Sequence, residues 1–307
     1  MKKEKPAPVK FDSLSDAHRY FGMPKPAHPL ISLFKNSETS MRDPDPGHSH
    51  LLGFYKISYK PKMSGTIRYG QGHYDFDEGG LLFAAPGQVI GNGDSLEPGS
   101  CSLYTLLIHP DFLRNFPLAK KMRQYGFFSY STNEALHLSE TEKAQILAIF
   151  QMMDVELKSR IDDFSQDVVI SQIDLLLNFA NRFYKRQFIT RKQVSGELLQ
   201  RLDELVNEYF DGDQSLNNGL PSVLYLAEHL NVSPSYLSDL LRTQTGQNAQ
   251  QFIHARLIDK AKELLSGTSL SVSEIAFQLG FEHPQSFSKL FRAKAKLSPL
   301  EFRHSFN

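Results

Sequence analysis

The same helical unit occurs twice between Pro221 and Phe302, and few architectures accommodate such a repeat. In the first copy, Ala227 is followed four residues later by Asn231, then by Val232, Ser233-Pro234, Leu237, Leu240 and Leu241. In the second, Ala276 is followed four residues later by Gly280, then by Phe281, His283-Pro284, Phe287, Leu290 and Phe291, with one extra residue in the turn. A small alanine lets two helices approach closely, and Asn or Gly tolerates the left-handed backbone of a sharp turn. Ser233 is suited to cap the next helix, where Pro loses nothing by lacking an N–H. Apolar residues at i, i+3 and i+4 then bury one face of that helix. The spacing predicts a helix-turn-helix, drawn twice.

Between the copies, Asn248 to Leu265 reads as one helix with Phe252, Ile253, Leu257, Ala261 and Leu264 on a stripe and Gly267 past its end. Its length would be roughly 27 Å at 1.5 Å per residue. Successive major-groove faces on one side of B-DNA lie about 34 Å apart. A strut of that length can hold two recognition helices in neighbouring grooves.

LAEHLNVSPSYLSDLLRTQTG, ARLIDKAKELL, VSEIAFQLGFEHPQSFSKLFR and the closing SPLEFR, in that order, closely resemble the DNA-binding domain of AraC-family transcription regulators. The resemblance covers about the last hundred residues. In the first unit the helix periodicity turns Ser235, Ser238, Asp239 and Arg242 outward, with Ser233 at the helix start and Tyr236 beside them. In the second the outward set is His283, Gln285, Ser286, Ser288, Lys289 and Arg292. The resemblance implies that these positions contact DNA. Asp239 stands where the family commonly carries a base-reading arginine; an aspartate can accept from cytosine N4 but repels phosphate. Gln285 suits adenine N6 and N7, and Lys289 guanine or phosphate. From Lys289 to Arg303 the charges are Lys289, Arg292, Lys294, Lys296 and Arg303 against Glu301, five minus one, a net of +4. Such a segment supplies a salt-dependent phosphate term. Lys296 stands where the family usually places a helix-closing glycine, so this helix end either carries a left-handed cap at a cost of about 1 kcal/mol or is built differently.

Bulk electrostatics does not announce a nucleic-acid partner, because 34 basic and 34 acidic residues leave a formal net charge of zero over 307 residues. The attraction must come from local distribution. That length allows two domains with separate cores. One cysteine, Cys101, excludes an intramolecular disulfide and fits a reducing compartment. No apolar run approaches the ~20 residues of a membrane span, and the N-terminus lacks the apolar centre of a signal peptide. A cytoplasmic protein without membrane contact is expected.

Upstream the pattern changes. Met1 to Lys10 is lysine-rich with Pro6 and Pro8 and reads as a solvated tail. From about Leu30 to Pro110, short alternating runs read as strands: Ile31–Phe34, Leu51–Tyr59, Thr66–Tyr69, His73–Phe76, Leu81–Ala84 and Leu103–Ile108. Turns are expected at Pro44–Gly47, Glu78–Gly80, Pro86-Gly87 and Gly91–Asp94. Strands at this spacing suggest a sandwich or barrel. The string Tyr74 to Gln88 is similar to the cupin-like sensing barrel of the same family, a looser likeness than the C-terminal one. Ser139 and Glu142 form a candidate capping box. The helix it starts carries Ile146, Ile149, Phe150, Met153 and Leu157, and a second helix follows from about Ser165 to Lys185. With Asp162-Asp163 between them the two should form an antiparallel hairpin, which in the resembled family mediates dimerisation.

The fold class expected is therefore α+β and multidomain: an N-terminal cupin-like β-barrel with a helical hairpin, and a C-terminal all-α domain with two helix-turn-helix units joined by a linker helix. The boundaries read as a flexible basic tail over 1–20, the sensor barrel over 21–137, the hairpin over 138–190, a linker over 191–196 and the DNA-binding domain over 197–307. The resemblance implies a homodimer, double-stranded DNA as partner, a small-molecule effector, a contact with RNA polymerase, and activation of transcription. No cofactor is implied.

The rival is a metal-dependent cupin enzyme, because His48-Ser-His50 resembles the first half of a cupin metal site. The glutamate that should follow is absent from Leu51 to Ile57, which leaves His73 or His109 as later partners. No phosphate-binding glycine loop or nucleophile elbow occurs. A nucleoid-type binder without regulatory input does not explain the nearly two hundred residues that precede the helix-turn-helix units.

Overall fold

The computed structural model describes residues 8–35, 49–61, 67–69, 72–74, 79–91, 102–131, 134–159, 165–190 and 192–305, with the backbone alone at 67–69, 72–74, 91 and 192–194. The expected turns at Pro44–Gly47 and Asp162-Asp163, together with His48 and Cys101, lie outside the described residues. The chain divides into two compact units, Met1–Gln187 and Phe188–Asn307.

The first unit is built on strands. Those described are β1 (Val9–Phe11), β2 (Ile31–Lys35), β3 (Ser49–Leu52), β4 (Tyr55–Lys60), β5 (Ile67–Tyr69), β6 (Gly72–Tyr74), β7 (Gly80–Ala84), β8 (Val89–Gly91), β9 (Tyr104–Ile108) and β10 (Leu136–His137). A five-stranded sheet has the order β10-β7-β4-β9-β2, a three-stranded sheet the order β1-β3-β8, and β5 pairs with β6. Among the described residues these sheets stay separate, so the expected barrel is not closed. Part of the reason is local. The run Leu51–Tyr59, expected as one strand, breaks at Gly53-Phe54, where the Gly53 N–H donates to the Phe11 carbonyl at 2.7 Å. A Cβ on Gly53 would lie 3.1 Å from that oxygen, so the close approach favours glycine. The run thereby turns a corner and feeds β3 and β4 into different sheets.

The expected flexible tail over 1–20 is corrected for residues 8–20; residues 1–7 lie outside the described residues. Strand β1 pairs in parallel with β3, Val9 opposite His50 and Phe11 opposite Leu52. Helix α1 (Leu14–Tyr20) follows, capped by Ser13, whose hydroxyl accepts from the Asp16 N–H at 3.1 Å. Phe11, Leu14 and Ala17 pack with Leu52, Phe54 and Leu107 in one core cluster. The lysines that dominate the composition of this segment conceal three apolar residues close enough to anchor it, and burying them removes the reason for disorder.

Helices α2 (Leu118–Gln124), α3 (Glu140–Lys158) and α4 (Ser165–Thr190) complete the unit. The capping box at Ser139 and Glu142 forms as read from the sequence. Arg186 donates to both Glu142 carboxylate oxygens, at 2.9 and 2.8 Å, and to the His137 carbonyl at 2.8 Å. The end of α4 therefore meets the start of α3, as an antiparallel pair must. Tyr104 of β9 stacks on Phe150 of α3 with centroids 5.2 Å apart, which fixes that helix to the five-stranded sheet.

The second unit is helical: α5 (Lys192–Asp211), α6 (Gln214–Asn218), α7 (Val223–Leu230), α8 (Pro234–Thr245), α9 (Ala249–Gly267), α10 (Val272–Gln278), α11 (Pro284–Ala295) and α12 (Pro299–His304). The linker expected over 191–196 is mostly helix. Polar residues alone do not stop a helix, and here the buried Ser195 donates to the Phe188 carbonyl at 3.3 Å, while Leu198, Leu202 and Val206 continue the buried stripe.

Candidate nucleic-acid interface

Two helical pairs, α7–α8 and α10–α11, adopt the turn that their spacing predicts. Asn231 lies in the left-handed region with φ 56° and Gly280 with φ 88°. In both, the residue after the turn closes the motif in the same way: the Val232 N–H donates to the Ala227 carbonyl, and the Phe281 N–H to the Ala276 carbonyl, each at 3.0 Å. Ala227 and Ala276 are fully buried. Their methyl groups are all the room the crossing leaves.

The second turn has a further constraint. A Cβ on Gly280 would lie 2.6 Å from the Gly219 carbonyl carbon and 2.9 Å from the Ser215 carbonyl oxygen. The Ser215 hydroxyl donates to the Gln278 carbonyl at 2.7 Å, and Tyr209 donates to the Gly219 carbonyl at 3.0 Å. Helix α6 and the bend after it thus support the second unit from below. The helical periodicity of the sequence does not reveal this support, although Gly219 shortly before Pro221 is a legible helix stop.

Helix α9 runs between the pairs, capped by a reciprocal Asn248–Gln251 box. Its 19 residues span about 28 Å. Phe252, Ile253, Leu257, Ile258, Ala261 and Leu265 are buried, whereas Leu264, expected on the stripe, is half exposed. Arg256 pairs with Asp203 and Lys260 with Asp211, each at 2.5 Å, so α5 holds the strut along its length.

The outward positions divide unequally. On α11, His283, Gln285, Ser286, Lys289 and Arg292 are exposed and Ser288 is half-buried, while Phe287 and Phe291 face inward. On α8, Arg242 is exposed and Ser235, Ser238 and Asp239 are half-buried. Asp239 is bound within its own helix, accepting from Arg242 at 2.8 Å. Tyr236, placed beside the outward set by the sequence, is buried and meets Phe188 edge-on at 5.1 Å. Ser233 is buried too: its hydroxyl caps α8 by accepting from the Tyr236 N–H at 3.2 Å. Periodicity missed Tyr236 because Phe188, which covers it, lies far upstream in the chain.

Two further residues of the basic segment take internal roles. Arg303 donates to the Leu265 and Leu270 carbonyls at 3.1 and 2.6 Å, closing the end of α9. Excluding it from the outward charges leaves Lys289, Arg292, Lys294 and Lys296 against Glu301, four minus one, or +3. Lys296 ends α11 with φ 64° and ψ 0°, almost the conformation of Gly246 at the end of α8, φ 75° and ψ 0°. Of the two arrangements the sequence leaves open, the left-handed cap is the one that forms, held by a residue that has to bear the strain. Two acids nearby, Glu274 and Glu301, serve as caps. Hydrogen bonds from the Ser271 N–H and hydroxyl hold the Glu274 carboxyl below the usual carboxylate range, and Ser298 does the same for Glu301.

The histidines considered as metal ligands have structural places. His50 lies in an aromatic cluster, stacked on Phe11 at 5.7 Å with Phe21 at 5.2 Å. His109 caps the turn at Pro110–Leu113 by accepting from the Asp111 N–H at 3.2 Å. Only the backbone of His73 is described. Among the described residues no cluster of three or more His, Cys, Asp or Glu side chains is placed to hold a metal ion. No described helix is long and apolar enough to cross a membrane.

Residues 226–305 match the family model described as a helix-turn-helix domain. The chain is 24% identical over 257 residues to the uncharacterized HTH-type transcriptional regulator YfiF of Bacillus subtilis, covering 83% of this chain and 78% of that protein. It is 32% identical over 101 residues to the Arabinose operon regulatory protein of Salmonella typhimurium, covering 33% of this chain and 32% of that protein. Among solved structures it is similar to the C-terminal domain of the two-component response regulator yesN from Fusobacterium nucleatum, with 30% identity, a TM-score of 0.29 and coverage of 33% of this chain and 96% of that one.

The two turns make opposite stability predictions. Gly280→Ala should destabilise the protein by about 2 to 5 kcal/mol, the sum of left-handed strain and overpacking against Gly219. Lys296→Gly should stabilise it by about 0.5 to 1 kcal/mol, the strain relieved less the added freedom of the unfolded chain. Urea unfolding of the full chain measures both, and equal effects at the two sites would contradict the packing assigned to Gly280.

Proposed function

We infer that the C-terminal AraC-type helix-turn-helix domain makes this chain a DNA-binding transcription regulator, with α8 and α11 as the two recognition helices. The observation that carries this reading is the pairing of two closed helix-turn-helix units with one buried strut, over the residues that match the helix-turn-helix family. On α11, Gln285 reads a base and Lys289 and Arg292 meet phosphate or guanine, joined by His283, Ser286 and Ser288. On α8, Ser235 and Ser238 approach the groove and Arg242 supplies a phosphate contact, while Asp239 tempers the charge of that arginine. The second unit carries more of the affinity.

We further propose that the N-terminal unit is the regulatory half, related to cupin-like sensors and modulated by a small molecule. An effector acts only through different affinity for two arrangements of the protein. Homodimerisation through α3 and α4 is supported by the apolar surface they leave exposed, Met152 and Val155 on one and Val168 and Leu175 on the other. A contact with RNA polymerase and activation of transcription belong to the same reading, and rest on the family likeness alone.

Selection of bound sequences from a pool of random duplexes at physiological salt tests the core of this proposal. Two short enriched elements about one helical turn apart are the expected outcome; failure to enrich any sequence, by the full chain and by residues 188–307 alike, would refute it. On the selected site, Gln285→Ala should lower discrimination at one or two base pairs by about 1 to 3 kcal/mol, and uniform weakening on every sequence would remove Gln285 from the readers. Lys289→Ala should reduce the slope of log affinity against log salt by about 0.9, and an unchanged slope would mean that this ammonium does not meet phosphate.

A further inference from the structure

The first unit contains a cavity of about 230 Å³ bordered by the inward face of β4, by β7 and β8, and by the segment leading into β10. Strand β4 is the central strand of the five-stranded sheet. Its residues alternate: Tyr55, Ile57 and Tyr59 lie on the face that also carries Leu106 and Tyr104, while Lys56, Ser58 and Lys60 line the cavity. Central strands between packed layers normally fill such positions with apolar residues, because an ion moved out of water costs several kcal/mol unless it is compensated. Here one face of the strand presents Lys-x-Ser-x-Lys to the interior.

The surrounding described groups leave the Lys56 ammonium without a carboxylate partner. Among the described residues Glu134 is the one carboxylate on the cavity wall, and one of its oxygens accepts from the Ser131 N–H at 2.6 Å. Among the described residues no carboxylate pairs with Lys56. Burial, with the Lys60 ammonium nearby, pushes Lys56 down to about 8, so at neutral pH it remains a cation held under strain. The other titratable groups on the wall are Tyr130 and Tyr184. Leu82, beside Ser58 on the neighbouring strand, and Val89 and Ile90 of β8 supply apolar surface. The size of the space is just below that of typical ligand pockets, about 300 to 1,000 Å³, and suits a metabolite rather than a long lipid.

We propose that this cavity binds a small organic carboxylate, its acid group held by Lys56 beside Lys60 and Ser58, and its carbon skeleton lying on Leu82, Val89 and Ile90. The proposal rests on the reading of the N-terminal unit as the regulatory half and gives its effector a chemical class. The bound carboxylate compensates Lys56 and raises its pKa, so affinity is complete below pH 8 and falls by up to about tenfold per unit as pH rises above it.

Calorimetric titration of the full chain with hexanoate and benzoate, each beside its neutral amide, tests this directly. The carboxylates should bind about tenfold or more tightly than the amides, and that preference should fade above pH 8. Lys56→Met should abolish the preference while leaving the unfolding temperature unchanged or raised, since a half-buried cation without a carboxylate partner is replaced by an apolar residue of similar shape. If that variant does not fold, Lys56→Gln serves in its place. Equal binding of acid and amide, retention of the preference without Lys56, or no binding of either carboxylate would overturn the proposal. Duplex selection with the same preparations separates the two ideas. An enriched DNA site without carboxylate binding leaves the regulator and removes this ligand class; carboxylate binding without any DNA site does the reverse.

Discussion

The candidate interface depends on the burial of one helix. Helix α9 sits among α5, α8, α10, α11 and α12, and its apolar stripe is a surface both helix-turn-helix units share. Leu257 and Ala261, at the middle of the stripe, have no accessible surface at all. Burial at this density stabilises by roughly 1.5 to 3 kcal/mol for each large side chain, and it also fixes distance, since a close-packed helix cannot stretch or bend freely. The pairs Arg256–Asp203 and Lys260–Asp211 are half exposed and add little energy of their own. Their contribution is rotational: they choose which face of α9 meets α5, and hence where α8 and α11 emerge.

On that common strut the two units differ in how they spend their polar residues. The first turns inward. Ser233 caps, Tyr236 packs on Phe188, and Asp239 holds Arg242, which leaves few uncommitted groups on α8. The second turns outward, with Gln285, Lys289 and Arg292 all exposed on α11. The difference follows from neighbours rather than from helix geometry, which is nearly the same in both. An aromatic residue upstream covers the start of α8; among the described residues nothing comparable covers α11, whose N-cap residue His283 makes no side-chain capping bond.

The parts legible in the sequence were those governed by short-range rules. Spacing alone located both turns, because the left-handed residue, the small alanine and the apolar closing residue all lie within one helical turn of each other. Capping chemistry located the start of α3. What escaped was set by partners distant in sequence. Gly53 divides one apolar run because Phe11 lies across from it; Phe11 itself looked like part of a disordered tail because lysines surround it. Tyr236 looked outward until Phe188 covered it, and Arg303 looked like a phosphate contact until the end of α9 required its hydrogen bonds. Lys296 is instructive in the other direction. The rule that a left-handed cap prefers glycine is correct, yet the fold imposes the cap regardless and tolerates a local cost of about 1 kcal/mol.

A chain with zero formal net charge can still present a cationic surface if its acids are placed where they offset something else. At the second unit Glu274 and Glu301 each close a capping box, facing the positive end of a short helix. Their negative charge is balanced against N–H groups that would otherwise lack partners. The ammonium groups of Lys289 and Lys294 and the guanidinium of Arg292 stand on the exposed side of α11, and at physiological salt charges beyond about 8 Å are largely screened from one another. Local segregation therefore matters more than the total. The same reasoning applies inside the N-terminal unit, where Lys56 keeps a charge that the sheet alone would be more stable without. In both places the chain retains cations beyond what its own packing requires, and such an excess is what an anionic partner would offset.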